Sequence, residues 1–325
     1  MMGQAGEAVS LRGRRALVTG AGGFLGANLV RALVAAECEV TVLARPQATL
    51  ERLRELLPRL TVLRADVSDS ASLEAVDPSA ASDLVFHLAA AGTDQRLRDF
   101  GVLLQVNAHG TLQVCELARR GGAKRIVALG SAAEYGSGEL LTEASPLRPA
   151  SWYGVSKAAG WMAARALSQG SAAPVVWLRP FSPFGPFEDH RRLVPYTILS
   201  ALQRQDVLLT GGEQTRDFVF VDDVIAACLR AAIEPGIEGE AINVCTGAET
   251  RVSDLATAIV RLMGDPVPVR FGAVPYRADE PGRLSGDPRK ARERLRWEAA
   301  TPIEEALRRT IEWFSASCRP AFSQR

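Results

Sequence analysis

The segment RRALVTGAGGFLG, residues 14–26, decides the fold. It begins as a short apolar run that predicts a buried strand and continues into residues 24–36, whose apolar side chains recur with helical spacing. Between strand and helix, Gly20, Gly23 and Gly26 permit a tight turn and a close approach to the helix N-terminus. Free N–H groups and the helix dipole favour negative charge there. We therefore predict a βα unit that binds a pyrophosphate.

The same alternation continues through the first half of the chain. Strand-like runs span 39–45, 60–66, 83–90, 124–131 and 173–180, and helical segments span 50–57, 102–120 and 152–168. Strands that are apolar throughout are buried on both faces, and alternation with helices makes neighbouring strands parallel. We expect an α/β fold: a doubly wound parallel-sheet Rossmann domain followed by a smaller, mixed α/β C-terminal substrate domain.

The pattern becomes less regular after Pro180. Residues 181–195 are rich in proline and aromatic side chains and predict a long irregular loop. Shorter strands are predicted at 207–210, 216–221 and 240–247, and shorter helices at 224–232, 252–262 and 302–315. We expect the Rossmann domain to contain residues 1–180 and about 216–247, and the substrate-binding domain to contain 181–215 and 248–325.

Composition excludes several classes of protein. The 325 residues carry 38 basic and 37 acidic side chains, so no electrostatic footprint for nucleic acid or an anionic membrane is present. The apolar stretches fall short of the ~20 residues that span a bilayer, and the first residues lack an export signal. Five scattered cysteines without a CxxC pair predict reduced thiols and no metal site. We expect a cytoplasmic protein.

Tyr153 and Lys157 are the first candidates for catalysis. In a helix, residues i and i+4 share one face, so a phenol and an ammonium lie side by side. A neighbouring cation lowers the pKa of a tyrosine from ~10, which makes the phenol a usable proton donor or acceptor near neutrality. Ser131 ends the strand at 124–131, where a hydroxyl faces the crevice that binds ligands.

The loop TGAGGFLG (19–26) and the segment YGVSK (153–157) resemble the extended short-chain dehydrogenases/reductases, specifically the NAD(P)-dependent nucleotide-sugar epimerases, dehydratases and 4-ketoreductases. The resemblance covers nearly the whole chain. It implies that Tyr153 passes a proton to or from the substrate oxygen, that Ser131 hydrogen-bonds this oxygen, and that Lys157 holds the nicotinamide ribose and lowers the pKa of Tyr153.

The resemblance also predicts the cofactor site. Asp66 resembles the residue that contacts adenine, HLAA (87–90) resembles the fourth strand that lines the cofactor, and Asn107 lies in a matching VNxxGT segment. His87 and Asn107 could equally be structural. The predicted cofactor-binding residues are Gly20, Gly23, Phe24, Leu25, Gly26, Arg45, Asp66, Val67, Leu88, Ala89, Ala90, Asn107, Tyr153 and Lys157.

The second strand indicates which nicotinamide cofactor is preferred. NAD binding usually needs a carboxylate at the end of this strand, whereas an arginine there accommodates the 2′-phosphate of NADP. The strand ends with Arg45, and no carboxylate follows before Glu51. Arg45 therefore favours NADP(H), and NAD(H) remains possible.

The segment Ser131-Ala132-Ala133-Glu134-Tyr135-Gly136 restricts the reaction. Dehydratases of the resembling family carry an acidic pair there, in a T-D-E-x-Y-G pattern. Alanine cannot do acid–base chemistry, so a 4,6-dehydratase is not expected. Glu134 is offset by one position and is expected to face elsewhere.

The cofactor preference bears on the remaining reactions, because epimerases recycle bound NAD whereas reductases usually consume NADPH. Arg45 therefore favours NADPH-dependent reduction of a nucleotide-linked 4-keto-6-deoxysugar, with Tyr153 as general acid. An NAD-dependent nucleotide-sugar 4-epimerase is the alternative. A non-catalytic sensor or scaffold is a third possibility, although such a protein would typically have lost Ser131, Tyr153 or Lys157.

Substrate recognition must accommodate a diphosphate, for which arginine is suited. Arg216 resembles a diphosphate-binding arginine of the family, Arg277 and Arg283 lie where a second is expected, and Arg191 and Arg192 are weaker candidates. Where the family commonly has R-x-x-N-x-Y-G-P, this chain has Ser182 and Phe184 in place of the asparagine and the tyrosine. The predicted substrate-binding residues are Ser182, Arg216 and Arg277.

The resemblance implies a homodimer through a four-helix bundle built from the helices that contain residues 107–119 and 153–167. Small residues give the second helix a face that allows close packing. These are Ala158, Ala159, Gly160, Ala163 and Ala164. Core packing within one chain would explain the same pattern.

Overall fold

A computed structural model describes residues 11–81, 83–92, 99–171, 174–277 and 279–322. Its centre is a sheet of seven parallel strands. They are β1 (Arg15–Thr19), β2 (Glu39–Ala44), β3 (Thr61–Arg64), β4 (Leu84–His87), β5 (Arg125–Leu129), β6 (Val175–Pro180) and β7 (Ala241–Val244). The spatial order is β3-β2-β1-β4-β5-β6-β7. This is the doubly wound order, with its topological switch point between β1 and β4, and it confirms the predicted Rossmann fold.

Seven longer helices are present in the described residues. They are α1 (Phe24–Ala35), α2 (Gly110–Arg120), α3 (Trp152–Ser171), α4 (Leu193–Leu202), α5 (Val221–Ile233), α6 (Val252–Leu262) and α7 (Ile303–Phe322). Shorter helical turns span Glu51–Arg59, Ser70–Glu74, Pro78–Ala81, Phe100–Leu104, Gln105–His109, Ala132–Glu134 and Ala291–Leu295. Short strands span Gly138–Leu141, Ser182–Phe184, Val207–Leu208, Thr215–Arg216, Phe218–Phe220, Thr250–Arg251, Val269–Arg270 and Arg283–Gly286.

Successive side chains of the central strands enter different cores, one on each face of the sheet. Val18 and Val127 pack into the core that contains residues of α1, α5 and α7. Leu17 and Ile126 pack into the core that contains residues of α2 and α3. Because side chains alternate between the faces of a strand, burial on both sides requires strands that are apolar throughout, as the sequence has them.

The second half departs from the predicted elements in two places. The predicted loop at 181–195 contains the strand Ser182–Phe184, which pairs with Phe218–Phe220, and its end enters α4. The predicted strand at 216–221 is two strands, because Thr215–Arg216 pairs with Arg283–Gly286 instead. In both places the strands are determined by pairing partners that are distant in the sequence, and local propensity does not reveal such partners.

The two halves of the chain meet in a four-stranded sheet. Its order is Thr250–Arg251, Thr215–Arg216, Arg283–Gly286 and Gly138–Leu141. The last of these strands, Gly138–Leu141, belongs to the first half of the chain and follows β5 after one helical turn. Within the described residues, no helix is long and apolar enough to span a bilayer, and no cluster of potential metal ligands occurs.

Candidate active site

The glycine loop between β1 and α1 leaves no room for a side chain at Gly20 or Gly26. A Cβ on Gly20, where φ is +70°, would lie 2.5 Å from the backbone nitrogen of Ala89. A Cβ on Gly26 would lie 2.1 Å from the carbonyl oxygen of Gly20. Gly23 donates its N–H to that same oxygen at 3.0 Å, and no side chain caps α1. This all-backbone cradle at a helix N-terminus fits the pyrophosphate of a dinucleotide.

The segment after β4 lines the same cradle. The Ala89 N–H donates to Thr19 Oγ1 at 3.2 Å. His87 hydrogen-bonds Thr19 Oγ1 at 2.8 Å and Thr111 Oγ1 at 3.1 Å. Burial, reinforced by the charge of Lys157, lowers the pKa of His87 to about 3, so the ring is neutral at physiological pH. His87 is therefore a buried structural link between β1, β4 and α2.

Asn107 lies in the π-helical turn Gln105–His109 and is fully buried. Its amide oxygen accepts the Ala91 N–H at 2.8 Å, and its amide nitrogen donates to the Ala91 carbonyl at 3.0 Å and to Ser156 Oγ at 2.9 Å. These bonds fix the backbone that follows the predicted cofactor contacts Leu88–Ala90, and they tie it to α3.

Ser131 and Tyr153 lie close together at the end of β5. The Ser131 side chain accepts the Ala133 N–H at 3.1 Å and lies near enough to the Tyr153 phenol to influence its pKa. Burial raises the pKa of Tyr153, and Glu134 adds to the rise, while the Ser131 hydroxyl and the charge of Arg192 oppose it. The sequence predicted the opposite direction from Lys157 alone. The phenol is consequently protonated near neutrality and is placed to donate a proton.

Lys157 lies deeper than Tyr153, and its side chain is directed at the sheet. Its Nζ donates to the Leu129 carbonyl at the end of β5 and lies 5.5 Å from the ring centroid of Trp177. Only 2% of Lys157 is exposed. Burial lowers the pKa of this ammonium to about 8, and Glu134 opposes that fall. The pKa of Tyr153 is thus set by burial, Ser131, Glu134 and Arg192, whereas the sequence-based expectation assigned its shift to Lys157.

Glu134 is directed into the protein interior. It is completely buried, its Oε1 accepts the Ser131 N–H at 2.8 Å, and its Oε2 accepts Arg179 Nε at 2.7 Å. The signal was present in the sequence as a charged residue three positions after the candidate Ser131. Its partner Arg179 lies on β6 and is identifiable only from the tertiary structure.

Arg216 and Arg277, both predicted to bind diphosphate, converge on one carboxylate. Each pairs with Glu280. Burial lowers the pKa of Arg216, Glu280 opposes the fall, and the charges of Arg277 and Arg192 add to it. Arg192 also acts on Tyr153. Arg192, a weaker candidate in the sequence, therefore acts electrostatically on both the candidate Tyr153 and the predicted diphosphate-binding Arg216.

Arg192 has a buried acidic neighbour that the sequence did not single out. Glu188 Oε1 lies 3.8 Å from Arg192 Nε, and Glu188 Oε2 has no partner in the described part of the chain. Burial raises the pKa of Glu188 to about 8. Arg191, by contrast, hydrogen-bonds Asp189 beside it.

Two residues at the family's R-x-x-N-x-Y-G-P motif have different environments. Ser182 is half-buried and pairs through its backbone N–H with the Asp217 carbonyl at 2.9 Å. Phe184 is buried, with ring centroids 6.3 Å from Phe218 and 5.9 Å from Phe220. The phenylalanine therefore completes an aromatic core and offers no polar group to a substrate.

Three residues are predicted at the adenosine end of the cofactor site. The Asp66 carboxylate accepts the backbone N–H of Ser68 at 2.9 Å and its hydroxyl at 2.7 Å. Val67 is buried against Gly110 of α2. Arg45 is exposed at the end of β2, and its guanidinium makes no ion pair with a described residue. A free cation is thus available where a ribose 2′-substituent is expected.

Comparison with known proteins gives the class. The model of the NAD dependent epimerase/dehydratase family matches residues 16–245. The chain is 32% identical to a Sinorhizobium fredii protein named "Probable dTDP-glucose 4,6-dehydratase", over 92% of each chain. It is also 32% identical to the UDP-glucose 4-epimerase of Mycolicibacterium smegmatis, over 92% of this chain and 98% of the relative.

The solved structures agree with the sequence relatives. The dTDP-glucose 4,6-dehydratase DesIV of Streptomyces venezuelae, solved with NAD and TYD bound, superposes with a TM-score of 0.84 at 27% identity, over 94% of this chain and 98% of that one. This chain belongs to the NAD-dependent epimerase/dehydratase family. It is an enzyme of the nucleotide-sugar branch within the extended short-chain dehydrogenases/reductases.

Proposed function

We propose that this enzyme reduces the C4 ketone of a nucleotide-linked 4-keto-6-deoxysugar with NADPH. The observation that carries this assignment is the exposed Arg45 at the end of β2, which has no carboxylate partner among the described residues. A guanidinium there suits a 2′-phosphate, and NADPH is the usual external hydride donor of reductases.

The surroundings of Tyr153 suit it to supply the proton that the reduction requires. A bound nicotinamide would supply the hydride that reaches the carbonyl carbon. The Tyr153 phenol, kept protonated by burial, gives its proton to the carbonyl oxygen, which becomes the product hydroxyl. Ser131 hydrogen-bonds this oxygen while negative charge develops on it. Lys157 and the glycine loop would hold the cofactor.

The residues that follow Ser131 argue against dehydration, although several relatives are dehydratases. Elimination needs one acid and one base near the sugar ring. Ala132 and Ala133 offer neither, and Ala132 is buried. Glu134, the nearest carboxylate in the sequence, is fully buried and bound to Arg179, so it is unsuited to protonate a leaving hydroxyl.

The arginine cluster supports a diphosphate-linked substrate. Arg192, Arg216 and Arg277 lie close enough for the other two to lower the pKa of Arg216. Arg192 is paired with Glu188, and Arg216 and Arg277 share Glu280. Guanidinium groups bind phosphate bidentately, so this group of arginines suits a diphosphate.

Changing Arg45 to Asp tests the cofactor assignment. We expect NADPH to bind at least about tenfold more weakly, because a hydrogen bond to a charged group contributes about 1.5–3 kcal/mol. NADH binding should change little. Fluorescence titration with both cofactors measures this. Arg120→Asp, the same charge change at the exposed end of α2, is the control. Equal NADPH affinity in Arg45→Asp and wild type would refute the assignment.

An NAD-dependent nucleotide-sugar 4-epimerase is the second candidate, favoured by the family match and the epimerase relative. Such an enzyme retains its cofactor through the catalytic cycle. The absorbance spectrum and chromatography of nucleotide released from the purified protein distinguish the two. Tightly bound NAD without NADPH preference would support the epimerase, and exchangeable NADPH would support the reductase.

We also infer that two copies associate through the helices that carry Tyr153 and Asn107. Large apolar side chains are exposed on α3 and on the turn Phe100–Leu104: Val102 is 42%, Trp152 55% and Met162 59% exposed. Met162→Glu is expected to convert the dimer to a monomer, because two carboxylates would be buried at the interface. Light scattering at several concentrations measures the mass, and an already monomeric wild type would contradict the inference.

A further inference from the structure

A buried ionic network lies beneath the catalytic residues. The Glu134 carboxylate accepts three hydrogen bonds, from the Ser131 N–H at 2.8 Å, from Trp177 Nε1 at 3.0 Å and from Arg179 Nε at 2.7 Å. Arg179 in turn donates to Tyr135 Oη at 2.9 Å. Both members of the ion pair are at most 2% exposed, so solvent screens their charges weakly.

This network touches the site at two points. Through the Ser131 N–H, Glu134 holds the residue whose hydroxyl acts on the pKa of Tyr153. Glu134 also accepts a hydrogen bond from Trp177, and the Lys157 ammonium lies over the ring of this tryptophan. Glu134 itself has no solvent-exposed surface.

We propose that Glu134 is a positioning residue that keeps Lys157 charged and fixes Ser131 for catalysis. The proposal depends on Lys157 and Ser131 having the roles given in the proposed function. Glu134 would act through these two residues and would exchange no proton with the substrate.

The charges around Lys157 give this role its physical basis. Two titratable groups interact with it: His87 of β4, which is neutral, and Glu134 from the turn after β5. Arg179 of β6 pairs with the same Glu134 carboxylate. Burial already lowers the pKa of Lys157 to about 8, and Glu134 is the charge that opposes the fall. Without the Glu134 carboxylate, Lys157 and Arg179 would remain as two buried cations. Of the two, only the lysine can lose its proton.

Direct titration of Lys157 tests the proposal without any turnover. The chain has three lysines, so protein labelled with ¹³C at lysine Cε gives three resolvable side-chain signals. Lys124→Arg and Lys290→Arg assign the other two. In Glu134→Gln, we expect the midpoint of the Lys157 titration to fall by about 1 pKa unit or more. Since Lys157 must be protonated to act, the alkaline limb of the kcat/KM profile should move to lower pH by a similar amount.

Two further variants separate electrostatics from damage to the fold. Glu240→Gln makes the same change beside Lys290, whose Nζ lies 3.0 Å from Glu240, and should leave the Lys157 signal unchanged. Arg179→Met removes the guanidinium that pairs with Glu134. The Glu134 charge then acts on Lys157 without that compensating cation, so the midpoint of the Lys157 titration should rise. This variant also decides the question if Glu134→Gln does not fold.

The outcomes are distinguishable from failure of the proposed function. An unchanged Lys157 midpoint in folded Glu134→Gln, or a fall in both Glu134→Gln and Arg179→Met, would overturn the proposal and leave Glu134 a purely structural residue. Neither result depends on the identity of the substrate, whereas absence of any ketosugar reduction by wild type would overturn the proposed reaction alone.

Discussion

Tyr153→Phe is expected to reduce kcat by about 10²–10⁴-fold, the usual contribution of a general acid. Burial keeps the phenol protonated and Ser131 lies close to it, so removing its hydroxyl removes the proton that the carbonyl oxygen must receive. Phenylalanine retains the ring, so cofactor affinity should change little. Steady-state reduction of a ketosugar nucleotide measures kcat, and fluorescence titration measures cofactor binding.

The matched control is Tyr196→Phe, which removes a hydroxyl that accepts the Leu208 N–H at 3.2 Å, away from the catalytic residues. It should retain wild-type kcat. Turnover in Tyr153→Phe within a few-fold of wild type would show that another group supplies the proton. Wild-type protein that binds cofactor but converts no substrate would instead favour the sensor or scaffold alternative.

Gly26→Ala is expected to weaken binding of both NADPH and NAD by about 10–100-fold. The new Cβ would lie 2.1 Å from the Gly20 carbonyl oxygen and 2.7 Å from Ala21 Cα, so the loop must move away from α1. Overpacking of this kind costs about 1–3 kcal/mol, and each 1.4 kcal/mol is tenfold in affinity. Titration with each cofactor measures the loss.

Gly22→Ala is the control within the same loop. Its Cβ would lie 3.3 Å from the Leu50 side chain and from the Thr49 carbonyl oxygen, which requires a shift of only a few tenths of an ångström. Binding should therefore stay within a few-fold of wild type. Comparable losses in both variants would indicate that general disturbance of the loop is responsible, and no loss in Gly26→Ala would show that the cofactor does not occupy this cradle.

Much of the cofactor domain could be predicted because its signals are local. An apolar run, three glycines and a helical stripe are contiguous in residues 14–36, and strand–helix alternation then requires a parallel sheet. Tyr153 and Lys157 are likewise four residues apart, and the geometry of one helix places them together. The second half was harder to predict, because α4 begins inside a segment whose proline and aromatic content resembles a loop.

The sequence by itself determined the fold class, the glycine cradle and the identity of the Ser131, Tyr153 and Lys157 candidates. Only the tertiary structure decided their electrostatic state. Glu134 meets Arg179 across 45 positions, and Arg192 approaches both Tyr153 and Arg216 from a separate loop. Burial, which no local pattern encodes, raises the pKa of Tyr153 and lowers that of Lys157. Long-range packing sets desolvation and charge proximity, and these are the quantities that determine which group holds the proton.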